Sequence, residues 1–392
     1  MKKTVSIILL FVMVFALGIS VFAKSQTKNA ADVDGDKVSA TPEISADGAY
    51  LMEASSGRML YSKSAFEAAP LASVTKVMTL LIVCEALDSG SISLDDEVMV
   101  SAYAASMGGS QVFLEEGERI SVEDLIKCAV IASANDASVA LAELVAGSER
   151  AFVDMMNRRA AELGLKNSHF ENTTGLDDTV SEHYSCPSDI AVMSRALISH
   201  DIILKYSSIW QDTIRDGEFT LTNTNRLVRY YDGCNGLKTG STDKAGYCVS
   251  ATAKRGNMQL IAVVMGAESR DARNEDARAL LDYGFASFAL YERQSEYLED
   301  ARVIRGKDVS VPLYTEYFST VIPKSQISRV ELHYQIPESI DAPILSGATV
   351  GKVIYTVDGE QIGECAIYTG ANVEAINFGD VYRLILRRIF AG

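Results

Sequence analysis

Apolar and polar positions first become regular at Gly48. Ala49-Tyr50-Leu51-Met52 and Arg58-Met59-Leu60-Tyr61 flank Ser55-Ser56-Gly57, which predicts a hairpin. From Ser73 to Leu87 the chain is apolar nearly all round after Lys76, which predicts a buried helix closed by Ser89-Gly90. Ser121-Val122-Glu123-Asp124 opens a second helix with a capping-box-like pattern, continuing through Leu125, Ile126, Val130 and Ile131. Helical periodicity returns at 137–163, 187–199 and 272–290. Two strongly apolar runs, 247–253 and 258–266, surround Lys254-Arg255-Gly256-Asn257 and predict a hairpin of core strands. Strands at both ends with helices between them predict an α/β layered domain over 46–294, its sheet built from both ends of its sequence.

After residue 295 the texture changes to short alternating segments separated by turn residues. Val309–Leu313, Val330–Tyr334, Val350–Tyr355 and Cys365–Tyr368 predict a small all-β domain over 295–376. The last stretch, 377–392, changes again. On a helical wheel Phe378, Val381, Tyr382, Ile385 and Ile389 share one face, and Arg383 and Arg387 the other. An apolar face with basic flanks predicts a helix lying in a membrane interface, too short to span a bilayer. At the other end, Lys2 and Lys3 precede an apolar run from Val5 to Ala16, and Val21-Phe22-Ala23 supplies small residues for cleavage. Residues 1–23 therefore read as a signal peptide and the polar stretch 24–45 as a flexible spacer. The expected location is outside the cell, anchored to the outer face of the cytoplasmic membrane.

Charge narrows the function classes. The formal net charge is −16, and losing Lys2 and Lys3 with the signal peptide makes it more negative. Nucleic acid, which favours a basic face, is not an expected partner. The six cysteines are scattered without a CxxC pair, which argues against a zinc ribbon and favours buried free thiols over disulfides. The four histidines, His169, His183, His200 and His333, fit neither a metal motif nor a serine-triad motif, so no metal or cofactor is expected.

Three short motifs carry candidate chemistry. Ser73-Val74-Thr75-Lys76 opens the long apolar helix. A helix start offers free N–H groups and a positive dipole end, and residues three apart share one face, so Lys76 stands behind Ser73. Burial there would lower the lysine pKa and let it act as a base. Ser-x-x-Lys also occurs at Ser25–Lys28 and Ser241–Lys244, but neither opens such a helix. Ser133-Ala134-Asn135 ends the helix begun near Ser121 and offers a hydroxyl and an amide. Lys238-Thr239-Gly240, then Ser241, precedes the core strand pair; a lysine and hydroxyls on a strand edge suit a carboxylate, and Gly240 permits close approach of a ligand.

Singly, each motif is compatible with an ordinary cap, loop or turn. Together and in this order they resemble the arrangement of penicillin-binding proteins and serine β-lactamases. The chain is similar to low-molecular-weight penicillin-binding proteins of the D-alanyl-D-alanine carboxypeptidase kind. Pro70–Thr79, Ser133–Asp136 and Asp232–Gly240 carry the likeness, with Asp243–Tyr247 and Leu280–Phe285 in support.

The resemblance implies a β-lactamase/DD-peptidase-like sheet flanked by helices. It implies removal of the terminal D-alanine from peptidoglycan stem peptides through a Ser73 acyl-enzyme, with β-lactams as inhibitors. Ser73, Lys76 and Ser133 would be catalytic; Asn135, Lys238, Thr239, Gly240 and Ser241 would bind substrate, helped by Arg270 or Arg273. Ser241 departs from the histidine often found at that position. A β-lactamase, with a short-lived acyl-enzyme, and a non-catalytic wall-binding protein are the competing readings.

Overall fold

The structure is a computed structural model describing residues 40–178 and 180–390. The expected signal peptide and residues 24–39 of the expected spacer lie outside the described residues. The apolar runs from the two ends of the first region meet in one sheet. Strands β1 (Gly48–Glu53) and β2 (Met59–Lys63) form the first hairpin, and β3 (Cys234–Thr242), β4 (Gly246–Arg255) and β5 (Met258–Ala267) a meander. Their order is β2-β1-β5-β4-β3, antiparallel throughout. β3 is therefore an edge strand with one side open.

Both faces of this sheet are covered, and the two-residue period of its strands sorts side chains between them. Tyr50, Met52, Ile261, Val263 and Met265 pack on the large helical layer. Ala49, Leu51, Leu260, Ala262 and Val264 pack with Ala277, Leu280 and Leu281 of a single helix on the other face. That sorting explains why the core strands read as continuous apolar runs. Each fully buried aliphatic side chain contributes about 1.5–3 kcal/mol relative to exposure.

The helical layer contains α1 (Lys76–Asp88), α2 (Val122–Ile131), α3 (Asn135–Ala146) and α4 (Pro187–Leu197); α5 (Arg270–Ser287) covers the other face. α1 is buried nearly all round, as its sequence predicts. A short 3-10 turn, Ala72–Thr75, precedes it, so Ser73 sits on that turn and not on the first turn of the α-helix. Ser121 caps α2 by accepting from Asp124 N at 3.1 Å. The 137–163 periodicity divides at Gly147, which takes φ +79°, and Ser148 caps the following helix. The expected 272–290 helix ends at Ser287, because Phe288–Arg293 turns extended and pairs with Phe318–Pro323. That strand precedes the expected domain boundary at 294/295.

The second region is a six-stranded sheet with an apolar core of Val311, Leu313, Val353, Tyr355 and Ile367. Phe318 stacks on Tyr355 at the core. The chain closes with α6 (Phe378–Phe390), whose Phe378, Val381, Tyr382, Ile385 and Ile389 are exposed. Among the described residues no helix is long and apolar enough to cross a membrane. All six cysteines are buried free thiols.

Candidate active site

The site lies where the 3-10 turn before α1, the loop between α2 and α3, and edge strand β3 converge. Gly240 of β3 runs so close to the turn that a Cβ there would stand 2.7 Å from Ser73 N and 2.9 Å from Val74 N. Only glycine brings this strand against the serine without displacing it. On the opposite side, a Cβ on Gly175 would stand 1.8 Å from Ala72 O, so the Asn172–Gly175 loop packs equally tightly.

Two lysines are buried in this wedge, and each meets a serine. Lys76 Nζ donates to Ser73 Oγ at 3.1 Å, to Asn135 Oδ1 at 2.6 Å and to Thr174 O at 2.8 Å. Lys238 Nζ donates to Ser133 Oγ at 2.7 Å and to Thr239 O at 2.8 Å. Burial alone penalises the charged form of a lysine. The Lys76 ammonium is held well below its ordinary range by desolvation, then by the charge of Lys238, with Asp136 opposing. Lys238 is lowered to about 7, by desolvation first and Arg273 second. A lysine free to shed its proton, in hydrogen-bond reach of a hydroxyl, is the arrangement a serine nucleophile needs.

Supporting contacts fix these groups. Asp136, buried at the start of α3, accepts from Val112 N, Leu114 N and Ala137 N, so its charge is held by backbone donors. Ser133 takes φ +63°, a strained conformation for a serine that aims its hydroxyl at Lys238. Thr75 Oγ1 lies 2.7 Å from His183 Nε2, and burial pushes His183 down to about 4, so this histidine is neutral and structural. The Ser241–Lys244 match is not equivalent, since Lys244 is exposed and donates to Asp177 O; Ser25 and Lys28 lie outside the described residues.

Ser73, Ser133, Thr239, Gly240 and Ser241 line one cavity of about 560 Å³, together with Arg270 and Arg273. Sequence reasoning left the choice between the two arginines open; both reach the cavity, Arg273 from a buried position and Arg270 from an exposed one. Two expectations shift in detail. Asn135 was expected on the substrate, but both ends of its amide are engaged internally, Oδ1 by Lys76 and Nδ2 by Gly108 O at 2.7 Å. Lys238 stands behind Ser133 and Thr239, so its charge acts on the cavity through them. The Thr174 carbonyl and the wall formed by Trp210, Arg226 and Tyr230 were not found from the sequence. No motif marks a backbone acceptor, and those wall residues read as ordinary loop. Among the described residues no cluster of metal ligands occurs.

A buried Ser–Lys pair, a second Ser–Lys pair and a Thr-Gly strand edge are parts that a serine acyl-enzyme could use. The comparisons with known proteins give the family. A sequence model of D-alanyl-D-alanine carboxypeptidases matches residues 35–269, and one of the C-terminal domain of penicillin-binding protein 5 matches 285–375. D-alanyl-D-alanine carboxypeptidase DacF of Bacillus subtilis is 38% identical over 386 residues, covering 96% of each chain. Penicillin-binding protein 5 of Haemophilus influenzae superposes with a TM-score of 0.75 at 32% identity, covering 85% of this chain and 98% of that one. Penicillin-binding protein D2 of Listeria monocytogenes, solved in its ampicillin-bound form, gives 0.57 at 32% identity over 62% of this chain and 98% of its own. The chain belongs to the D-alanyl-D-alanine carboxypeptidase family and is a serine-type peptidase hydrolase with the penicillin-binding protein 5 type of C-terminal domain.

Proposed function

We propose that Ser73 removes the terminal D-alanine from peptidoglycan stem peptides ending in D-Ala-D-Ala. The observation that carries this reading is Lys76 Nζ 3.1 Å from Ser73 Oγ, buried and held well below its ordinary pKa. Ser73 Oγ attacks the carbonyl carbon of the penultimate D-alanine while Lys76 takes its proton. The carbonyl oxygen gains negative charge beside the N–H groups of Ser73 and Ser241. Ser133, backed by Lys238, passes a proton to the nitrogen of the departing D-alanine as the C–N bond breaks. Water then attacks the Ser73 ester, frees the shortened peptide and restores the hydroxyl.

Thr239, Ser241 and Arg273 receive the terminal carboxylate, with the Lys238 charge behind them. Asn135 holds Lys76 in place. β-Lactams, which carry a strained amide and a carboxylate, acylate Ser73 in the same way; the ampicillin-bound Listeria relative supports this. Cleavage after Ala23 and docking of the apolar face of α6 on the membrane place the enzyme on the outer face of the cytoplasmic membrane; the exposed Phe378, Val381 and Ile389 support that part.

The test is D-alanine release from a soluble peptide ending in D-Ala-D-Ala, with wild type beside Ser73→Ala. Release by wild type alone is the expected result. Release by both would remove Ser73 from the mechanism, and release by neither would favour a non-catalytic wall-binding role.

A further inference from the structure

The cavity carries more positive charge than one carboxylate requires. Arg226, Arg270 and Arg273 all line it, no Asp or Glu does, and none of the three forms an ion pair among the described residues. Arg226 and Arg273 are near enough that the charge of one disfavours that of the other. In a chain of net charge −16, three unpaired cations around one cavity are a local inversion of sign. Such a cluster is stabilised by an anion that arrives from outside.

The wall bearing Arg226 has a defined place. Thr224 Oγ1 accepts from Thr239 Oγ1 at 2.8 Å, and Asn225 Nδ2 donates to Gly236 O at 2.8 Å. Residues 222–230 therefore flank the Gly236–Thr239 part of β3, ahead of Gly240, which faces Ser73. In the reaction above, Thr239, the one residue of that part that lines the cavity, receives the carboxylate of the leaving residue. Within this wall Arg229 lies 5.3 Å over the Trp210 ring and 5.6 Å over Tyr230. A space of about 560 Å³ suits a drug-sized ligand, far more than one departing alanine fills.

We propose that Arg226, with Arg270 lining the same cavity and Trp210 and Tyr230 in the same wall, is a specificity-determining subsite for a second carboxylate, carried by the leaving residue of the substrate. This rests on the carboxypeptidase reading. The bond changes stay the same: the acyl C–N bond to the leaving residue breaks, its nitrogen takes the proton, and Ser73 keeps the acyl group. What the subsite adds to D-alanine release is a choice among other leaving residues: an acidic D-amino acid is released in preference to its neutral isostere.

The experiment measures kcat/KM for three peptides identical up to the penultimate D-alanine and ending in D-alanine, D-glutamate or D-glutamine. Wild type is expected to favour D-glutamate over D-glutamine about tenfold, and Arg226→Gln to bring that ratio near one. Arg226→Glu is expected to invert it and to favour a D-lysine-terminated peptide. The D-alanine peptide, run in every variant, reports folding and the acylation machinery. A wild-type ratio near one, or a ratio unchanged in Arg226→Gln, overturns the subsite while leaving D-alanine release intact. A peptide with the extra carboxylate placed before the scissile bond separates the two sides of the cavity: preference for that peptide alone also overturns the assignment. Failure to release D-alanine at all removes the carboxypeptidase reading and the subsite with it.

Discussion

The two larger sheets of this molecule, with what packs on them, treat charge in opposite ways. The catalytic sheet and its helices bury Lys76, Lys238, Asp136 and Arg273 beside Ser133 and Asn135. The C-terminal region after residue 295, among its described residues, buries only the threonines Thr315, Thr320, Thr356 and Thr369 as polar residues. Its charges pair on the surface, as in Arg305–Asp341 at 2.8 Å and Arg329–Asp358 at 2.7 Å. Burying a charge opposes folding unless partners compensate, while an exposed ion pair contributes little. The first region accepts that cost at the Ser73 and Ser133 pairs. The second, among its described residues, buries no charged side chain.

The sharpest way to break this comparison is to remove a buried charge. Lys76→Ala is expected to lower acylation about 10²–10⁴-fold, the range for a lost general base, read as penicillin acylation rate. A variant that acylates normally would place the base elsewhere. Next, Gly240→Ala puts a Cβ within 2.7 Å of Ser73 N and shifts strand against serine, for a loss of about 10²-fold in kcat/KM with the fold intact by circular dichroism.

In the other region, Leu313→Ala should destabilise by about 2–5 kcal/mol in denaturant melts, yet leave D-alanine release from soluble peptide unchanged. Loss of activity there would mean that the sheets are functionally coupled. The pH dependence of stability distinguishes the regions further. Lys238 has a folded pKa of about 7 against 10.5 unfolded, so between these values the unfolded chain binds more protons. Its contribution is fully present above 10.5 and is lost as pH falls toward 7. Lys238→Met should therefore flatten the rise in urea midpoint across that window. The smallest effect is Arg329→Ala, which should leave the urea midpoint within error because its partner Asp358 is exposed.

How much of this was legible in the sequence depends on what kind of contact made it. The Ser73–Lys76 pair follows from helical spacing, and the contact at 3.1 Å confirms the geometry though Ser73 sits on a 3-10 turn. The Ser133–Lys238 contact joins residues 105 apart in the chain, and spacing alone could not give it; the family resemblance only assigned both residues to one site. Thr174 enters through a carbonyl, which any residue possesses. Arg226 and Trp210 are brought to the cavity by the Thr224–Thr239 and Asn225–Gly236 contacts, which have no local signature. In the C-terminal sheet, Tyr297–Ile304 escaped notice because its Glu299, Asp300, Arg302 and other exposed positions hide the buried Ala301 and Val303. Phe288–Leu290 read as helix because the helical period of α5 runs into them, and only pairing with Phe318–Pro323 makes Phe288–Arg293 a strand.

The most direct test of Ser73 as the nucleophile is peptide mapping by mass spectrometry after incubation with penicillin. The account predicts one adduct per chain, on the peptide containing Ser73, and none in Ser73→Ala. An adduct on another residue, or one that survives the substitution, would contradict it.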